Sequence, residues 1–179
     1  MKIILQALRL FLLLTLLTGV AYPVAVTVAA RLVFPNQARG SIVNRDGKPV
    51  GSALLAQKFE STRYFWPRPS ASDYATVPSG ASNLGPTSAA LQKAIAERRS
   101  KFGADAQGEM LTASGSGLDP HISPQAAAQQ IARVAEARKL DAARVAAVVA
   151  ENTEPPQWGI FGEPRVNILA LNLRLDALK

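Results

Sequence analysis

Residues 10–30 read LFLLLTLLTGVAYPVAVTVAA, an uncharged run of 21 residues that lies between Arg9 and Arg31. As an α-helix this run would be roughly 31 Å long at about 1.5 Å per residue, which matches a hydrocarbon core about 30 Å thick. Later apolar runs, such as residues 142–150, are short and interrupted. The run therefore predicts one N-terminal membrane-spanning helix within segment 1–34, followed by a water-soluble domain over residues 35–179.

The residues alone leave two interpretations of this segment open. Lys2 and Arg9, the apolar residues 10–20 and the small residues 28–30 would also suit a cleaved secretory signal peptide. The uncharged run is longer than the usual signal core of about 7–15 residues, which favours a retained anchor. Basic residues flank both ends of the run, and the positive-inside bias weakens before a long domain, so charge leaves the orientation undecided.

Three residues interrupt the aliphatic pattern of this segment, namely Gly19, Tyr22 and Pro23. A glycine lets a second helix approach closely, and a proline frees a backbone carbonyl that a neighbouring helix can satisfy. We therefore expect this part of the helix to contact a partner's helices. The alternative is that both residues merely bend a lone helix, since glycine and proline are common in membrane helices.

Composition narrows the classes of function. The chain has 179 residues, a net charge of +7 and no cysteine, so disulfides and thiolate metal sites are excluded. Its basic residues are scattered rather than grouped among aromatic residues, which argues against nucleic-acid binding despite the positive charge. Lipid headgroups or an acidic partner are better candidates for that charge.

The remainder of the chain predicts a mixed α/β (α+β) domain with a small sheet and about four helices. Asp46-Gly47 predicts the turn of a hairpin between residues 41–44 and 50–57. Ser123 followed by Pro124 is typical of a helix start, and Asp141 can cap a second helix. Helices are predicted at 88–101, with Pro86 in the first helical position, at 125–139 and at 141–151, and a short strand is predicted at 109–113.

The tail over residues 166–178 fits two patterns. Leu169, Leu171 and Leu173 alternate as in a strand, whereas Leu171, Leu175 and Leu178 are spaced as in a helix. Pro164 just upstream favours the helix slightly, and both alternatives stay open.

Two irregular segments are long enough to suggest a role, because polar loops of this length are uncommon in compact domains. In residues 67–86, the stretch Ser79–Gly85 could hold an anion with its backbone amides, but it lacks the Gly-Lys-Ser/Thr ending of a phosphate loop. Arg68, together with Asp73 and Tyr74, could tie this loop together or face a partner.

The second irregular segment, residues 114–124, contains Ser116, Asp119 and His121. This trio suggests a hydrolase, but catalytic triads normally join residues from distant parts of the chain, and no G-x-S-x-G nucleophile elbow is present. The structural alternative is that the flanking glycines permit a tight turn and Asp119 accepts backbone N–H bonds. The residues assigned to this structural loop are Gly115, Gly117, Asp119, His121 and Ser123.

Several strings of the sequence carry a resemblance to a known family. They are residues 18–23 (TGVAYP), 64–71 (YFWPRPSA), 79–87 (SGASNLGPT), 112–123 (TASGSGLDPHIS), 133–135 (RVA) and 162–173 (GEPRVNILALNL). Together they resemble the C subunit of the Kdp-type potassium-transporting P-type ATPase, and the resemblance covers nearly the whole chain.

The resemblance implies a non-catalytic, single-pass subunit of the cell inner membrane, with a cytoplasmic N-terminus and a periplasmic domain. Its implied partners are a channel-like potassium-binding subunit, a P-type ATPase catalytic subunit and a small single-span subunit, beside membrane lipid. The complex would use ATP, magnesium and potassium, while this chain would bind no cofactor or metal directly. The family is described as a catalytic chaperone that raises the ATP affinity of the catalytic subunit, which from the outer face must be indirect.

We predict partner contacts at a set of small, polar and aromatic residues from the helix and the first loop. They are Gly19, Tyr22, Pro23, Arg68, Ser79, Gly80, Ser82, Asn83 and Gly85.

Overall fold

The computed structural model describes residues 1–106 and 108–178. The chain divides into two compact units, Met1–Ile42 and Val43–Lys179. The roles assigned above to segments 1–34 and 35–179 stay a prediction.

The N-terminal unit is built on one apolar helix. Its elements are α1 (Lys2–Leu16), a π-helical turn (Leu17–Ala21), α2 (Tyr22–Val33) and the short α3 (Pro35–Ala38). The continuous helix Lys2–Val33 has 32 residues and is long and apolar enough to cross a membrane. The helix predicted at residues 10–30 is confirmed, and it extends past the charged residues at both ends.

The π-helical turn follows from the proline. A proline has no N–H to donate, and its ring crowds the carbonyl four residues earlier, which here belongs to Gly19. The wider π turn at Leu17–Ala21 removes that clash without ending the helix. The hydroxyl of Thr27 donates to the carbonyl of Pro23 at 2.7 Å, so a second polar group is satisfied within the helix.

The second unit is α+β, as predicted from the sequence. Its described elements are β1 (Ile42–Arg45), β2 (Lys48–Ser52), α4 (Ala89–Phe102), α5 (Gly108–Leu111), β3 (His121–Ile122), α6 (Pro124–Ala128), α7 (Ile131–Arg138), α8 (Ala142–Glu151), β4 (Thr153–Glu154), β5 (Arg165–Asn167) and α9 (Ile168–Ala177). Strands β1 and β2 form the hairpin predicted around Asp46-Gly47, although β2 ends at Ser52 rather than Gln57.

The second sheet is small and antiparallel, with strand order β3-β5-β4. Ile122 and Thr153 both pair with Val166, from opposite sides of β5. The central strand therefore joins the second irregular segment, which contains β3, to the end of α8, which precedes β4.

The core forms where helices α6 to α9 pack around this sheet. It consists of Phe65, Met110, Ile122, Ala126, Ala127, Val134, Ala135, Val145, Val148, Val149, Val166, Ile168, Leu171 and Leu175. Lys139 ends α7 in the left-handed conformation, with φ of 56°, and the Asp141 carboxylate caps α8 by accepting from the Ala143 N–H at 2.9 Å. The helix start predicted at Asp141 is thus confirmed.

Three local predictions were wrong. Residues 109–113 are not a strand, because α5 turns Met110 and Leu111 together into the core. The helix predicted at 125–139 is two helices, α6 and α7, separated at Gln129 and Gln130. Helix α4 begins at Ala89 after Ser88, so Pro86 lies in the preceding turn rather than at the first helical position.

The tail follows the helical alternative, because Leu169, Leu171 and Leu173, whose alternation suggested a strand, all lie within α9. Residues 165–167 form β5, and α9 begins directly afterwards at Ile168. The change of structure occurs at Asn167, whose side chain caps α9 by accepting from the Ala170 N–H at 3.1 Å. The same side chain donates to the carbonyl of Ala53 at 2.8 Å.

Candidate functional site

The two irregular segments of the sequence lie against each other, and we call residues 67–86 and 114–124 the paired loops. The N–H of Ser114 donates to the carbonyl of Pro69 at 2.9 Å. The guanidinium of Arg68 donates to the Asp119 carboxylate at 3.2 Å. The structure thus joins the predicted partner-contact segment to the predicted structural loop.

Gly117 is a point of close approach between the paired loops. Its φ of 73° is a conformation that glycine adopts freely and residues with a Cβ do not. A Cβ at this position would lie 2.9 Å from the carbonyl oxygen of Gly80 and 2.9 Å from the Ser72 hydroxyl. Gly115 lacks this constraint, since no neighbouring atom lies within 4 Å of the place that a Cβ would take there.

The Asp119 carboxylate stabilises the second loop by accepting two hydrogen bonds. One carboxylate oxygen accepts from the backbone N–H of His121 at 3.1 Å, while the other accepts from Arg68. The sequence also grouped Asp73 with Arg68 and Tyr74, but no hydrogen bond or ion pair joins Asp73 to either of them within residues 1–106 and 108–178. Asp73 pairs instead with Lys58 at 2.8 Å.

Tyr74 completes the first loop. Its hydroxyl donates to the carbonyl of Arg68 at 3.0 Å, and burial raises its pKa to about 12. The phenol therefore keeps its proton at physiological pH and acts as a hydrogen-bond donor. Arg68 and Tyr74 together stabilise the loop, as one of the two sequence interpretations proposed.

Ser116, Asp119 and His121 do not form a catalytic relay. The Ser116 hydroxyl accepts from the Leu118 N–H at 3.0 Å, which closes a local turn. The His121 ring lies 4.0 Å from Asp119, and no hydrogen bond joins it to Ser116 in the part of the chain that the structure describes. Burial, followed by the nearby Arg165, lowers the pKa of His121, so the ring is neutral at pH 7.

Ser123 ends the second loop and starts α6. Its hydroxyl accepts from the Ala126 N–H at 3.1 Å, as the sequence predicted for a cap. The carboxylate of Glu109 accepts from both the N–H and the hydroxyl of Ser123. A charged acceptor at a helix start is favourable, which explains why α5 lies beside this cap.

The outer part of the first loop faces solvent. Ser79, Ser82, Asn83 and Gly85 are exposed, and Gly80 is half-buried against Gly117. Asn83 adopts a positive φ of 53°, as asparagine tolerates in turns. These residues therefore present backbone and small polar groups that a partner could reach, while their partner role stays a prediction.

Sequence reasoning missed two buried amides that position residues 64–66 (YFW), which precede the paired loops and which we call the aromatic run. Asn172 accepts from the N–H of Phe65 at 2.9 Å and donates to its carbonyl at 3.0 Å. Gln130 does the same for Trp66, at 2.8 and 3.1 Å. Asn172 lies within the string GEPRVNILALNL, but nothing in the local pattern indicates which polar residue of a helix is buried.

Cations cover the faces of Trp66. The guanidinium carbon of Arg133 lies 3.7 Å from the ring centre, and the ammonium of Lys101 lies 4.5 Å away, both within cation–π range. Burial lowers the pKa of Arg133 to about 10, so it stays charged at pH 7. Part of the chain's positive charge therefore serves the fold rather than a partner.

Asp176 gathers a second polar cluster on α9. Its carboxylate accepts from Arg138 and Arg45, each at 2.8 Å, and from the Tyr64 hydroxyl at 3.1 Å. Burial alone would raise the pKa of Asp176, but these three hydrogen bonds lower it overall. The carboxylate is thus charged at physiological pH, and it connects α7, α9 and the aromatic run.

Metal binding has no support in the described residues, where no group of three histidine or acidic side chains is placed to hold an ion. A cavity of about 220 Å³ lies beside Trp66 and Tyr74. Two of its charged groups, Lys58 and Asp73, neutralise each other, and Arg98 donates to the carbonyl of Leu111. These three charged side chains of the cavity wall are therefore engaged within the chain.

Comparison with known proteins gives the family. Residues 4–177 match the family KdpC, described as K+-transporting ATPase, c chain. A potassium-transporting ATPase KdpC subunit of Polaromonas naphthalenivorans is 54% identical, covering 100% of this chain and 97% of the relative. That of Rhodospirillum rubrum is 54% identical over 95% and 93% of the two chains, and that of Cereibacter sphaeroides 51% over 96% and 95%. Since the match covers both the apolar helix and the paired loops, the chain belongs to the KdpC family of potassium-transporting ATPase subunits.

Proposed function

We propose that this chain is the accessory subunit of a high-affinity, ATP-driven potassium uptake pump and stabilises the assembly of its other subunits. In this proposal it contacts a channel-like potassium-binding subunit, a P-type ATPase catalytic subunit and a small single-span subunit. The observation that carries the proposal is the match to the c chain of the K+-transporting ATPase over residues 4–177. The chain is an accessory subunit and is not itself catalytic.

The geometry supports a scaffold at the paired loops. The polar atoms of Ser116 and Asp119 are engaged by backbone and by Arg68, so they hold a surface in shape. Residues 79–85, which are exposed apart from the half-buried Gly80, lie on this support. We place one contact with a transport partner there and another at Gly19, Tyr22 and Pro23 in the apolar helix.

In the proposed topology the apolar helix stays as a single-pass anchor of the inner membrane, and the α+β unit lies in the periplasm. The helix Lys2–Val33 supports membrane association by its length and composition. From the periplasm, a role as catalytic chaperone that raises ATP affinity acts indirectly, through membrane helices. The complex would use ATP, magnesium and potassium on its other subunits.

A pair of fusions tests the orientation. Alkaline phosphatase after Lys179 should be active and green fluorescent protein at the same site dark, because only the first matures in the periplasm. A fluorescent and enzymatically inactive pair would overturn the periplasmic placement.

Co-purification tests the assembly role. The wild-type chain, co-expressed with the channel-like and ATPase subunits, should be retained with them in detergent, and potassium-stimulated ATPase activity should require it. Gly19→Leu should reduce retention, since a bulky side chain keeps a neighbouring helix at a distance. Ala7→Leu enlarges a small residue elsewhere on the same helix and is the matched control, which should be retained like the wild type. Failure of the wild-type chain to co-purify would overturn the proposed function.

A further inference from the structure

A second surface of the α+β unit stands out by its exposed apolar side chains. Residues 157–161 (QWGIF), which we call the aromatic turn, lie between β4 and β5. Trp158, Ile160 and Phe161 are 82%, 78% and 60% exposed. Large apolar side chains grouped in this way on a surface are typical of interaction sites.

Backbone hydrogen bonds fix the shape of the aromatic turn. Gln157 and Phe161 pair with each other, N–H to carbonyl, at 2.8 and 3.0 Å, and Gly159 donates to Pro156 at 2.9 Å. The rings of Trp158 and Phe161 meet edge to face with centres 6.0 Å apart. The side chains are therefore presented in one arrangement, which lowers the entropy lost when they bind.

The fold does not explain a tryptophan at the tip. Trp158 has a positive φ of 55° and is followed by Gly159 at 76°, a pair of conformations that suits asparagine and glycine. A bulky residue is unfavourable there. Because the side chain is 82% exposed, burial within this chain does not offset that cost.

Charge around the aromatic turn is opposite to that of the whole chain. Residues 151–164 contain three glutamates and no lysine, arginine or histidine, in a chain of net charge +7. Arg165 pairs with Glu154 at 3.0 Å, whereas Glu163 is exposed and forms no ion pair within residues 1–106 and 108–178. The apolar tip thus has an acidic border.

This border decides between two kinds of occupant. A bilayer surface that contains anionic lipid attracts basic segments and repels acidic ones. A protein cleft with apolar walls and lysine or arginine at its edge complements both the tip and the border. Tryptophan is also among the residues that dominate the affinity of protein interfaces.

We propose that the aromatic turn docks into an apolar cleft, bordered by basic side chains, on another subunit of the transport complex. This inference rests on the proposed function, and it adds a contact that neither the apolar helix nor the paired loops provide. Trp158 and Phe161 enter the cleft, and Glu163 pairs with a cation at its edge.

Photocrosslinking within the intact complex identifies the occupant. A photoreactive phenylalanine analogue at position 158, or at 160 in a second variant, is incorporated into the full chain and co-expressed with the channel-like and ATPase subunits. The expected adduct joins the turn to one of those subunits, at a peptide with apolar residues beside lysine or arginine. The same analogue at Leu54, which is 58% exposed, should give about tenfold less adduct. Adducts only with lipid or with a second copy of this chain, or none at either position, would overturn the proposal.

Substitutions measure the contribution of the turn. The double variant Trp158→Ser with Phe161→Ser should be retained with the complex at least tenfold less than the wild type. The measurement is made in a detergent in which the wild-type complex is only just stable. Glu163→Lys should weaken it more than Glu163→Gln, because reversal repels a basic edge. The matched double variant Ile42→Ser with Leu54→Ser removes apolar surface elsewhere and should be retained like the wild type.

The outcomes separate this proposal from the proposed function. If wild type and control co-purify and the turn variants do so equally well, the docking proposal is wrong and the assembly role stands. If the wild type itself does not co-purify, the assembly role fails first. A circular dichroism spectrum like that of the wild type, recorded on each purified full-length variant, shows that the variant is folded.

Discussion

The two tryptophans of this chain occupy opposite environments. Trp66 is 8% exposed, with its backbone held by Gln130 and its ring covered by Arg133 and Lys101. Trp158 is 82% exposed on a turn whose backbone conformation is unfavourable for it. The first contributes to the stability of the α+β unit, and the second is available to a partner.

The difference between the two environments distinguishes residues that stabilise the fold from residues that are available to a partner. Composition alone does not make this distinction. Apolar and basic residues near Trp66 serve the fold, although each would look like a binding residue in the sequence. The region around Trp158 presents exposed apolar side chains and an acidic border. Substitutions in the first region should therefore lower stability, and those in the second should lower assembly.

The largest expected effect is at Asn172. Asn172→Leu leaves the N–H and carbonyl of Phe65 buried without partners and should lower the free energy of unfolding by about 2–4 kcal/mol. Denaturant unfolding of the full chain in detergent, followed by tryptophan fluorescence, measures this loss. Asn152→Ala removes one half-buried bond to Val148 and should cost less than about 1 kcal/mol. Equal losses of stability in the two variants would contradict a special role of the buried amide of Asn172.

The next largest loss of stability is expected at the contact between the paired loops. Gly117→Ala combines a positive φ with a Cβ only 2.9 Å from the Gly80 carbonyl oxygen, and should cost about 1–3 kcal/mol. The same unfolding measurement applies. Gly115→Ala, in open space, is the matched control and should stay within about 0.5 kcal/mol of wild type. A tolerated Gly117→Ala would mean that the loops are not held together there.

Asp176 should make the free energy of unfolding depend on pH in the acidic range. Its pKa is lowered in the folded state from an ordinary value of 3.8, so its contribution is complete above that value and is lost as the pH falls through the lower, folded pKa. Asp176→Asn should cost roughly 1–2 kcal/mol at pH 7. The gap between wild type and variant should close in acid, when unfolding is measured from pH 7 to pH 2. A constant gap would contradict this assignment.

The smallest effect on stability is expected at Trp158. Trp158→Ser should change the free energy of unfolding by less than about 0.5 kcal/mol, since the side chain is exposed and its backbone conformation disfavours a bulky residue. Trp66→Ser in the same assay, followed by circular dichroism, gives the opposite result. A loss above about 1 kcal/mol at Trp158 would show that the turn belongs to the fold after all.

Patterns that act locally were predictable from the sequence. The apolar helix follows from an uncharged run, the hairpin from Asp46-Gly47, and the starts of α6 and α8 from Ser123 and Asp141. Each depends on residues a few positions apart. Residues 109–113 were assigned wrongly for a related reason, because a single helical turn has too few residues to show its period.

Contacts between distant segments were not predictable in the same way. The two irregular segments were recognised, but not that Gly117 would lie against Gly80. The break before α7 depends on Gln130, whose amide turns to the backbone of Trp66, 64 residues earlier. The aromatic turn escaped notice because exposure and φ are properties of the folded chain, while the letters QWGIF look like any short apolar run.

The amides of Asn172 and Gln130 take the place that a neighbouring strand would have beside Phe65 and Trp66. A strand can form such bonds early, when it is close in sequence, but Asn172 lies 107 residues after Phe65. Contacts over such separations form late in folding. During synthesis the backbone groups of the aromatic run therefore remain without these partners until α9 has left the ribosome. If the unit is exported, α9 must also have left the translocation channel. A chaperone that shields this run in that interval would cover two large side chains, Phe65 and Trp66, that the folded chain buries.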